Sequence, residues 1–361
     1  MYIGSLELKN FRNYIQESFA FEKGTNILYG DNAQGKTNVL EALMVCATTR
    51  SPRGSHDSEM IRFGEDEAHI RLSGVRRNVS HRIDTHLRRS GKKGVAVDGI
   101  PIRKASEVFG YISIVSFFPE DLRIIKNSPK DRRRFLDSRL CQIDRSYFAG
   151  LAEYNRAVAQ RNALLKDQRY GGGMEEMLDV WDEQLVSHGA PLIRAREAFL
   201  LEMDSLIRDI HRELTRGKEE LTLTYEPSAS ADGLAEKIRQ SRDKDLRWKA
   251  SSAGPHRDDF RITVNDSDIR VYGSQGQQRS AALSLKLAEI EMARKKEGDD
   301  PILLLDDVLP ELDSERQEML LRSIKDTQTF ITCTGMDDLT EHDFPIDRVF
   351  HIKNGEVEKT M

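Results

Sequence analysis

Residues 30–37 form the pattern that most constrains how this chain folds. In order they are Gly30, Asp31, Asn32, Ala33, Gln34, Gly35, Lys36 and Thr37, which fits G-x-x-x-x-G-K-[ST] at every fixed position. A strand candidate, 26–29, precedes them and a helix candidate, 36–47, follows. Glycines let backbone N–H groups curl around phosphate oxygens, and a helix N-terminus adds favourable partial charge. The pattern therefore predicts a phosphate-binding loop (P-loop) in an α/β fold.

The last two residues of the loop indicate its ligand. In a loop of this type the lysine, here Lys36, reaches the β- and γ-phosphates, and the hydroxyl of Thr37 ligates Mg²⁺. We therefore expect residues 30–37 to bind ATP with Mg²⁺. The alternative is a glycine turn with a chance lysine, which the flanking strand and helix disfavour.

A P-loop needs an acid at the end of another strand to hold the metal, and residues 302–307 supply one. The apolar run 302–305 is typical of a strand in the middle of a parallel sheet. We expect Asp306 to bind Mg²⁺ and Asp307 to polarise the attacking water, which makes Asp307 and Lys36 the catalytic candidates. The alternative is a solvated acidic turn, since acids often mark strand ends.

The 270 residues between Lys36 and Asp306 exceed what a compact nucleotide kinase needs. Apolar residues recur at helical spacing over 147–165 and again over 178–214, which predicts an inserted helical hairpin or small bundle. Residues 170–173 separate the two runs.

Domain organisation follows from this insertion. We expect residues 1–122 and 248–361 to form a discontinuous α/β head and residues 123–247 a helical lobe. Pro191 should kink the second helix of the lobe or end its first part near Gly189, because proline removes a helical hydrogen bond.

Residues 274–277 indicate the subclass. Ser274, Gln275, Gly276 and Gln277 precede a helix candidate, 279–297, so a hydroxyl and backbone amides point from a helix N-terminus. The segment resembles the signature motif of ATP-binding-cassette (ABC) ATPases; a serine-capped glycine loop is the alternative. In that superfamily the motif completes the other subunit's site. This implies a head-to-tail homodimer around two ATPs, with Asp313 in the D-loop that touches the partner.

Charge is unevenly distributed, although the net charge of −5 excludes a uniformly basic nucleic-acid binder. The candidate DNA-contacting cations are Arg76, Arg77, Arg88, Arg89, Lys92 and Lys93. A second cluster is 132–134. No motif for reading base edges is present, so we expect backbone contacts without sequence specificity. A solvated hairpin face is the alternative for the first cluster.

The match extends beyond the superfamily to the RecF family and the related SMC heads. It is carried by residues 6–14, 118–122, 128–137, 254–259 and 274–313, so it covers nearly the whole chain. The resemblance implies an α/β fold, namely a P-loop ABC-type (SMC-like) ATPase head with an inserted helical lobe and no long coiled coil.

The resemblance also implies a function. RecF proteins bind DNA and dimerise on ATP, and they work with RecR and RecO to load RecA at gaps in damaged DNA. A weak Mg-dependent ATPase would then act as a release switch. By analogy, Arg12 would contact a phosphate. The chain departs from the superfamily where Thr332 or Thr334 replaces the switch histidine and where Glu120 or Asp121 would cover the Q-loop role.

Two other functions fit parts of the pattern. One is the ATPase subunit of an ABC transporter, which the helical insertion and the missing switch histidine disfavour. The other is a metabolic P-loop kinase, which the signature motif and the long gap disfavour. No run approaches the roughly 18 apolar residues that span a bilayer, and the three cysteines are scattered. We therefore expect a cytoplasmic protein without a membrane partner.

Overall fold

The structure is a computed structural model that describes residues 1–167, 174–325, 327–335 and 345–360. The chain divides into two compact units, Met1–Asp121 with Leu283–Met361, and Leu122–Ala282. Residues 248–282, expected with the first unit, group with the second, because a strand within them pairs with a strand at Leu221–Glu226.

The first unit contains two sheets. Its elements are β1 (Tyr2–Phe11), β2 (Tyr14–Ala20), β3 (Thr25–Tyr29), α1 (Lys36–Thr48), α2 (Asp57–Met60), β4 (Glu67–Arg76), β5 (Val79–Arg88), β6 (Gly94–Val97), β7 (Ile100–Pro101) and β8 (Ile114–Phe117). The second unit follows in the chain with α3 (Leu122–Lys126), α4 (Pro129–Ile143), α5 (Arg145–Lys166), α6 (Met174–Leu214), β9 (Leu221–Glu226), α7 (Leu234–Trp248), β10 (Asp259–Val264), β11 (Ser267–Asp268) and α8 (Ile269–Tyr272). The division falls within α9 (Gln275–Glu297), and the first unit ends with β12 (Ile302–Asp306), α10 (Ser314–Ser323), β13 (Thr329–Cys333), β14 (Arg348–Lys353) and β15 (Glu356–Thr360).

One sheet of the first unit is mostly parallel, in the order β15-β14-β3-β13-β12-β8. Among the described strands of this sheet, only β15 runs antiparallel to its neighbour. The central strands β12 and β13 are buried along their whole length, as the apolar run at 302–305 predicted. The carboxyl ends of β3, β13 and β12 therefore meet at one edge of the sheet.

The other sheet is antiparallel, in the order β2-β1-β4-β5-β6-β7. Helix α1 packs against strands of both sheets, and one hydrophobic core contains Leu6, Phe19, Leu43, Ile70 and Leu304. Because α1 is covered on both sides, it is apolar almost all round rather than amphipathic. The loop that precedes α1 is thus attached to the most buried helix of this unit.

The second unit contains the predicted helical hairpin. Helices α5 and α6 pack together, and a small antiparallel sheet has the order β11-β10-β9. Helix α6 runs through Pro191 rather than ending near Gly189. The predicted separator, 170–173, lies outside the described residues.

Buried ion pairs connect the elements of this second unit. Arg161 pairs with Asp182 at 2.6 Å and with Asp245 at 2.7 Å. Arg132, expected on a basic surface, is instead buried and paired with Asp259 at 2.6 Å. The cluster at 132–134 therefore contributes one of its three cations to the interior.

Within the described part of the chain, no helix is both long and apolar enough to cross a bilayer.

Candidate nucleotide-binding site

The loop at 30–37 joins the end of β3 to the start of α1, as predicted. Gly30 has φ +147° and Gly35 has φ +122°, values that L side chains rarely adopt. A Cβ on Gly30 would lie 2.3 Å from the carbonyl oxygen of Ile352, and one on Gly35 would lie 2.7 Å from a side-chain nitrogen. The two glycines allow the loop to curl and to pack closely against neighbouring parts of the chain, while residues 31–33 stay exposed.

Two turns that the motifs did not predict hold this loop in place. From the β1–β2 turn, Asn13 Nδ2 donates to the carbonyl oxygen of Gln34 (2.7 Å), and the Tyr14 hydroxyl donates to the next carbonyl (3.1 Å). From the β14–β15 turn, the backbone N–H of Gly355 donates to the carbonyl oxygen of Gln34 (3.0 Å). The backbone N–H of Asn354 donates to the side-chain oxygen of Gln34 (2.6 Å). The second turn is 320 residues from the loop in sequence, so only the fold reveals the contact.

The two predicted motifs meet at Thr37. Its Oγ1 donates to Asp306 Oδ1 at 2.8 Å, which joins the start of α1 to the end of β12 across 269 residues of sequence. Lys36 is 4% exposed, and its Nζ donates to the carbonyl oxygens of Gly30 (2.6 Å) and Asp31 (2.9 Å). The ammonium therefore lies within the curl of the loop, where phosphate oxygens would be held.

The donor set at Thr37 and Asp306 fits Mg²⁺. A hydroxyl and a carboxylate oxygen are hard ligands of the kind this ion prefers. Burial raises the pKa of Asp306, although hydrogen bonds from Thr332 and Thr37 oppose the rise. Both of these donors are neutral hydroxyls and do not balance the negative charge of Asp306. A bound cation would balance it.

Thr332, at the end of β13, links both acids. Its Oγ1 donates to Asp306 Oδ1 (2.7 Å) and accepts from the backbone N–H of Asp307 (3.0 Å). Asp307 has φ +48°, which is uncommon for a residue with a side chain. Burial raises the pKa of Asp307, and Lys36 opposes the rise. Of the two threonines considered for the switch position, Thr332 is buried in this network and Thr334 is exposed.

Arg12 makes a different set of contacts from the one predicted. Its guanidinium forms a bidentate pair with the fully buried Glu41 of α1 (2.8 and 2.7 Å) and donates to Ser55 Oγ and the Glu59 carbonyl (both 2.7 Å). These contacts tie α1 to the segment before β4. The phosphate contact of Arg12 stays a prediction.

The signature segment forms the N-terminus of α9 in the second unit. Ser274 Oγ accepts from the N–H of Gln277 (3.2 Å), and Gln277 Oε1 accepts from the N–H of Ser274 (2.9 Å). This reciprocal pair is a capping box, which fixes the first turn of a helix. Ser274, Gln275 and Gly276 are exposed. The segment is thus a rigid, accessible helix end, and its role in a partner's site stays a prediction.

The predicted D-loop acid, Asp313, caps α10. Its carboxylate accepts from the N–H of Arg316 at 3.0 Å and also pairs with the guanidinium of that residue. The side chain is 56% exposed. Contact with a partner copy is therefore sterically open to it.

Asp121, one of the two candidates for the Q-loop role, is half-buried and anchors a neighbouring helix. It accepts from the N–H of Phe118 (2.8 Å) and pairs with Lys286 of α9 (3.3 Å). Burial raises the pKa of Asp121, and the charge of Lys286 opposes the rise. The side chain of Glu120, the other candidate, lies outside the described part.

The cations predicted to contact DNA do not form one patch. Arg76 and Arg77 lie at the turn from β4 to β5, whereas Arg88 and Arg89 lie at the far end of β5, where Arg88 pairs in register with Glu67. A strand of ten residues spans about 30 Å. Residues that are close in sequence are therefore far apart on the surface.

Most of these cations also have acidic partners. The pairs are Arg76 with Glu297 (3.3 Å), Arg88 with Glu67 (3.8 Å), Arg89 with Asp66 (4.0 Å) and Lys93 with Asp57 (3.0 Å). Lys92 is exposed and forms no ion pair with any described residue. The arrangement favours the solvated-hairpin interpretation, and DNA contact at these residues stays a prediction.

The strand–loop–helix unit at 25–48 and the acid at the end of β12 define the class of this protein. It is a P-loop ATPase head of the ABC type, with the helical lobe of an SMC-like head. Residues 2–358 match the family model described as the RecF/RecN/SMC N terminal domain. Together with the relatives below, this match shows that the chain belongs to the RecF family.

The similar proteins agree over the whole chain. The chain is 51% identical to the DNA replication and repair protein RecF of Agathobacter rectalis, covering 99% of each, and 51% identical to that of Lachnoclostridium phytofermentans, covering 99% of this chain and 100% of the relative. A solved structure of the recombination mediator protein RecF-ATP in the RecFOR pathway superimposes with a TM-score of 0.91 at 35% identity, covering 100% of this chain and 97% of that one. An Smc head domain from Pyrococcus furiosus, at 18% identity and a TM-score of 0.57 over 100% of this chain and 96% of that one, shares the fold alone.

Proposed function

We propose that this protein is an ATP-dependent DNA-binding repair protein with a weak Mg-dependent ATPase. The contact between Thr37 and Asp306 carries the proposal, because it brings the phosphate loop and the metal-binding acid to one point. A similar protein of known structure is described with ATP, and the similar relatives are named for DNA replication and repair. These relatives do not favour the alternative, an ABC transporter subunit.

Each residue of the site has a proposed task. Backbone N–H groups of 30–37 and the ammonium of Lys36 hold the phosphates of ATP. Thr37 and Asp306 hold Mg²⁺, which neutralises charge on the phosphate oxygens when bound. Asp307 accepts a proton from the attacking water, and a raised pKa makes its carboxylate the stronger acceptor. Thr332 orients both acids.

Two copies pair head to tail in this proposal. The Ser274–Gln277 segment of one copy, exposed at its first three residues, completes the site of the other, and Asp313 lies near the partner. ATP closes the dimer on the DNA backbone, and hydrolysis releases it. RecR, RecO and RecA are the expected partners, since the related RecF structures are described within the RecFOR pathway.

Light scattering with and without ATP and Mg²⁺, followed by binding to DNA of random sequence, tests the proposal. We expect the mass to double on ATP and DNA affinity to fall steeply with salt. Lys36→Met is the matched control and should remain monomeric in both conditions. If the wild-type protein binds DNA in no nucleotide state, the proposed repair function is wrong.

A further inference from the structure

Helix α7 of the second unit has a cationic and aromatic stripe. Its buried positions, among them Leu234 and Ile238, define the inner side of the helix. With 3.6 residues per turn, Lys237, Lys244 and Trp248 are spaced to share a different side. All three are exposed, and Trp248 is 70% exposed.

The indole of Trp248 is held beside a positive charge. Lys244 Nζ lies 4.6 Å from its ring centroid, within the range of a cation–π contact. A large aromatic ring presented to solvent next to an ammonium offers two kinds of binding at once. The ring can stack on a flat partner, and the ammonium can pair with an anion.

The stripe carries no acid. Arg247 and Lys249, next to Trp248, are exposed as well. The acids of α7 that face solvent, Glu236 and Asp243, lie about 100° around the helix from Lys237 and Lys244, on the side that Arg247 shares, and Glu236 pairs with Arg239 (2.6 Å).

The cations of this stripe differ from those of the β4–β5 hairpin. Among the residues that the structure describes, Lys237, Lys244 and Lys249 form no ion pair, whereas four hairpin cations each have a carboxylate partner. Unpaired cations retain their full charge for a polyanion, so the stripe is the better complement to a phosphate backbone.

We propose that the stripe formed by Lys237, Lys244 and Trp248, with Lys249 beside it at the C-terminal end of α7, binds single-stranded DNA. The proposal rests on the DNA-binding function proposed above and names the surface that performs it. At 1.5 Å rise per residue, Lys237 and Lys244 are about 10 Å apart along the axis and Trp248 is about 6 Å further. Cations that track a backbone beside an aromatic stacking platform bind single strands with little regard to sequence, because every base has a π-face.

Tryptophan fluorescence reports on the stripe directly, because the chain has only two tryptophans, Trp181 and Trp248. In the variant Trp181→Phe, Trp248 is the remaining tryptophan. With ATP and Mg²⁺ present, a mixed-sequence single-stranded oligonucleotide should quench its fluorescence. The quenching curve should coincide with the binding curve measured by fluorescence anisotropy of the oligonucleotide. Trp248→Phe is the matched control. Its remaining indole packs against the cluster of Leu164, Leu165 and Leu178, and its emission should not change.

Affinity measurements give a second, independent readout. Trp248→Ala should weaken binding to the oligonucleotide about tenfold, as loss of one stacking platform does. Lys237→Gln/Lys244→Gln should lower the slope of log affinity against log salt by about 1.4, since each single-strand phosphate contact contributes about 0.7. The double variant Arg88→Gln/Lys92→Gln removes the same charge from the hairpin and should bind like the wild type.

The outcomes separate this inference from the proposed function. If the wild-type protein binds no DNA, the proposed function fails. If it binds DNA but Trp248 is not quenched and the stripe variants bind normally, only the stripe assignment fails. Weaker binding of the hairpin variant alone would assign the contact to the hairpin. An effect of the stripe variants on duplex DNA but not on single strands would overturn the single-strand assignment.

Discussion

Asp306 is placed where stability and chemistry conflict. The carboxylate is buried, and its pKa is raised by that burial, so the fold holds the ionised form less well than water does. Asp306→Asn keeps an oxygen that can accept from Thr37 and Thr332 but removes the charge. Without metal we expect a melting temperature about 2 °C higher, measured by differential scanning fluorimetry, and no ATP hydrolysis.

The higher melting temperature of Asp306→Asn should depend on pH, and the raised pKa of Asp306 gives the direction of that dependence. A carboxyl whose pKa is above 3.8 in the folded state destabilises the fold when ionised, and this penalty disappears as the pH falls through the raised pKa. The advantage of Asp306→Asn over the wild type should therefore be largest at neutral pH and shrink towards pH 4. An advantage that grows on acidification would show that the ionised carboxylate stabilises the fold.

Thr332 tests whether the link between the two acids matters. Thr332→Val keeps the shape but leaves the N–H of Asp307 without its acceptor, which should cost about 1–3 kcal/mol of unfolding free energy. Loss of orientation should also lower the ATPase rate, as measured by phosphate release. Thr332→Ser keeps the hydroxyl, so its unfolding free energy and its ATPase rate should both be close to those of the wild type. Equal loss in the serine variant would point to packing by the methyl group instead.

Among single residues, the motifs predicted the positions of the side chains whose spacing is fixed, and the chemical roles of those side chains stay predictions. Lys36, Thr37 and Asp306 lie where their motifs predicted. Thr332 and Asn354 carry no motif of their own, and only strand order brings them to the loop. The stripe on α7 was missed because its residues are 4 to 11 positions apart and become a surface only once the helix forms.

Among the elements, α9 is fastened to the segment after β8 by one buried cation. Lys286 pairs with Asp121 (3.3 Å) and Glu289 (3.2 Å). Lys286→Met would leave the buried Glu289 and the half-buried Asp121 without their counter-charge, which should cost about 3 kcal/mol in denaturant unfolding. Lys295→Met, at an exposed position of the same helix, is the control and should cost less than about 0.5 kcal/mol.

Predictions of elements succeeded where local pattern and burial agree, whereas at Pro191 one of the two predicted outcomes, a helix end near Gly189, is not observed. Helix α1 and strand β12 are long apolar runs, and both form as predicted. An interior proline costs a helix about 3 kcal/mol or more, yet α6 continues through Pro191. The neighbouring Ala190, Leu192 and Ile193 are buried, so apolar packing offsets the lost hydrogen bond.

For the whole molecule, the decisive question is whether two copies share each site. Lys36→Met should lack nucleotide binding but keep its signature segment, whereas Ser274→Arg should bind ATP but fail as a partner. Each variant alone should be inactive. In a head-to-tail dimer, however, the loop of a Ser274→Arg chain meets the intact signature segment of a Lys36→Met chain, so mixing the two restores one site per mixed dimer.

The recovery expected from mixing is quantitative. Because neither variant pairs with itself, every dimer in an equal mixture is a mixed dimer with one working site of two, so the mixture should hydrolyse ATP at up to about half of the wild-type rate. Lys36→Met mixed with itself at the same total concentration is the control. Activity of Ser274→Arg alone, as a monomer, would mean that one chain closes its own site. A mixture that stays inactive while both variants remain folded would equally exclude a shared site, because each half is then present and still cannot complete the other.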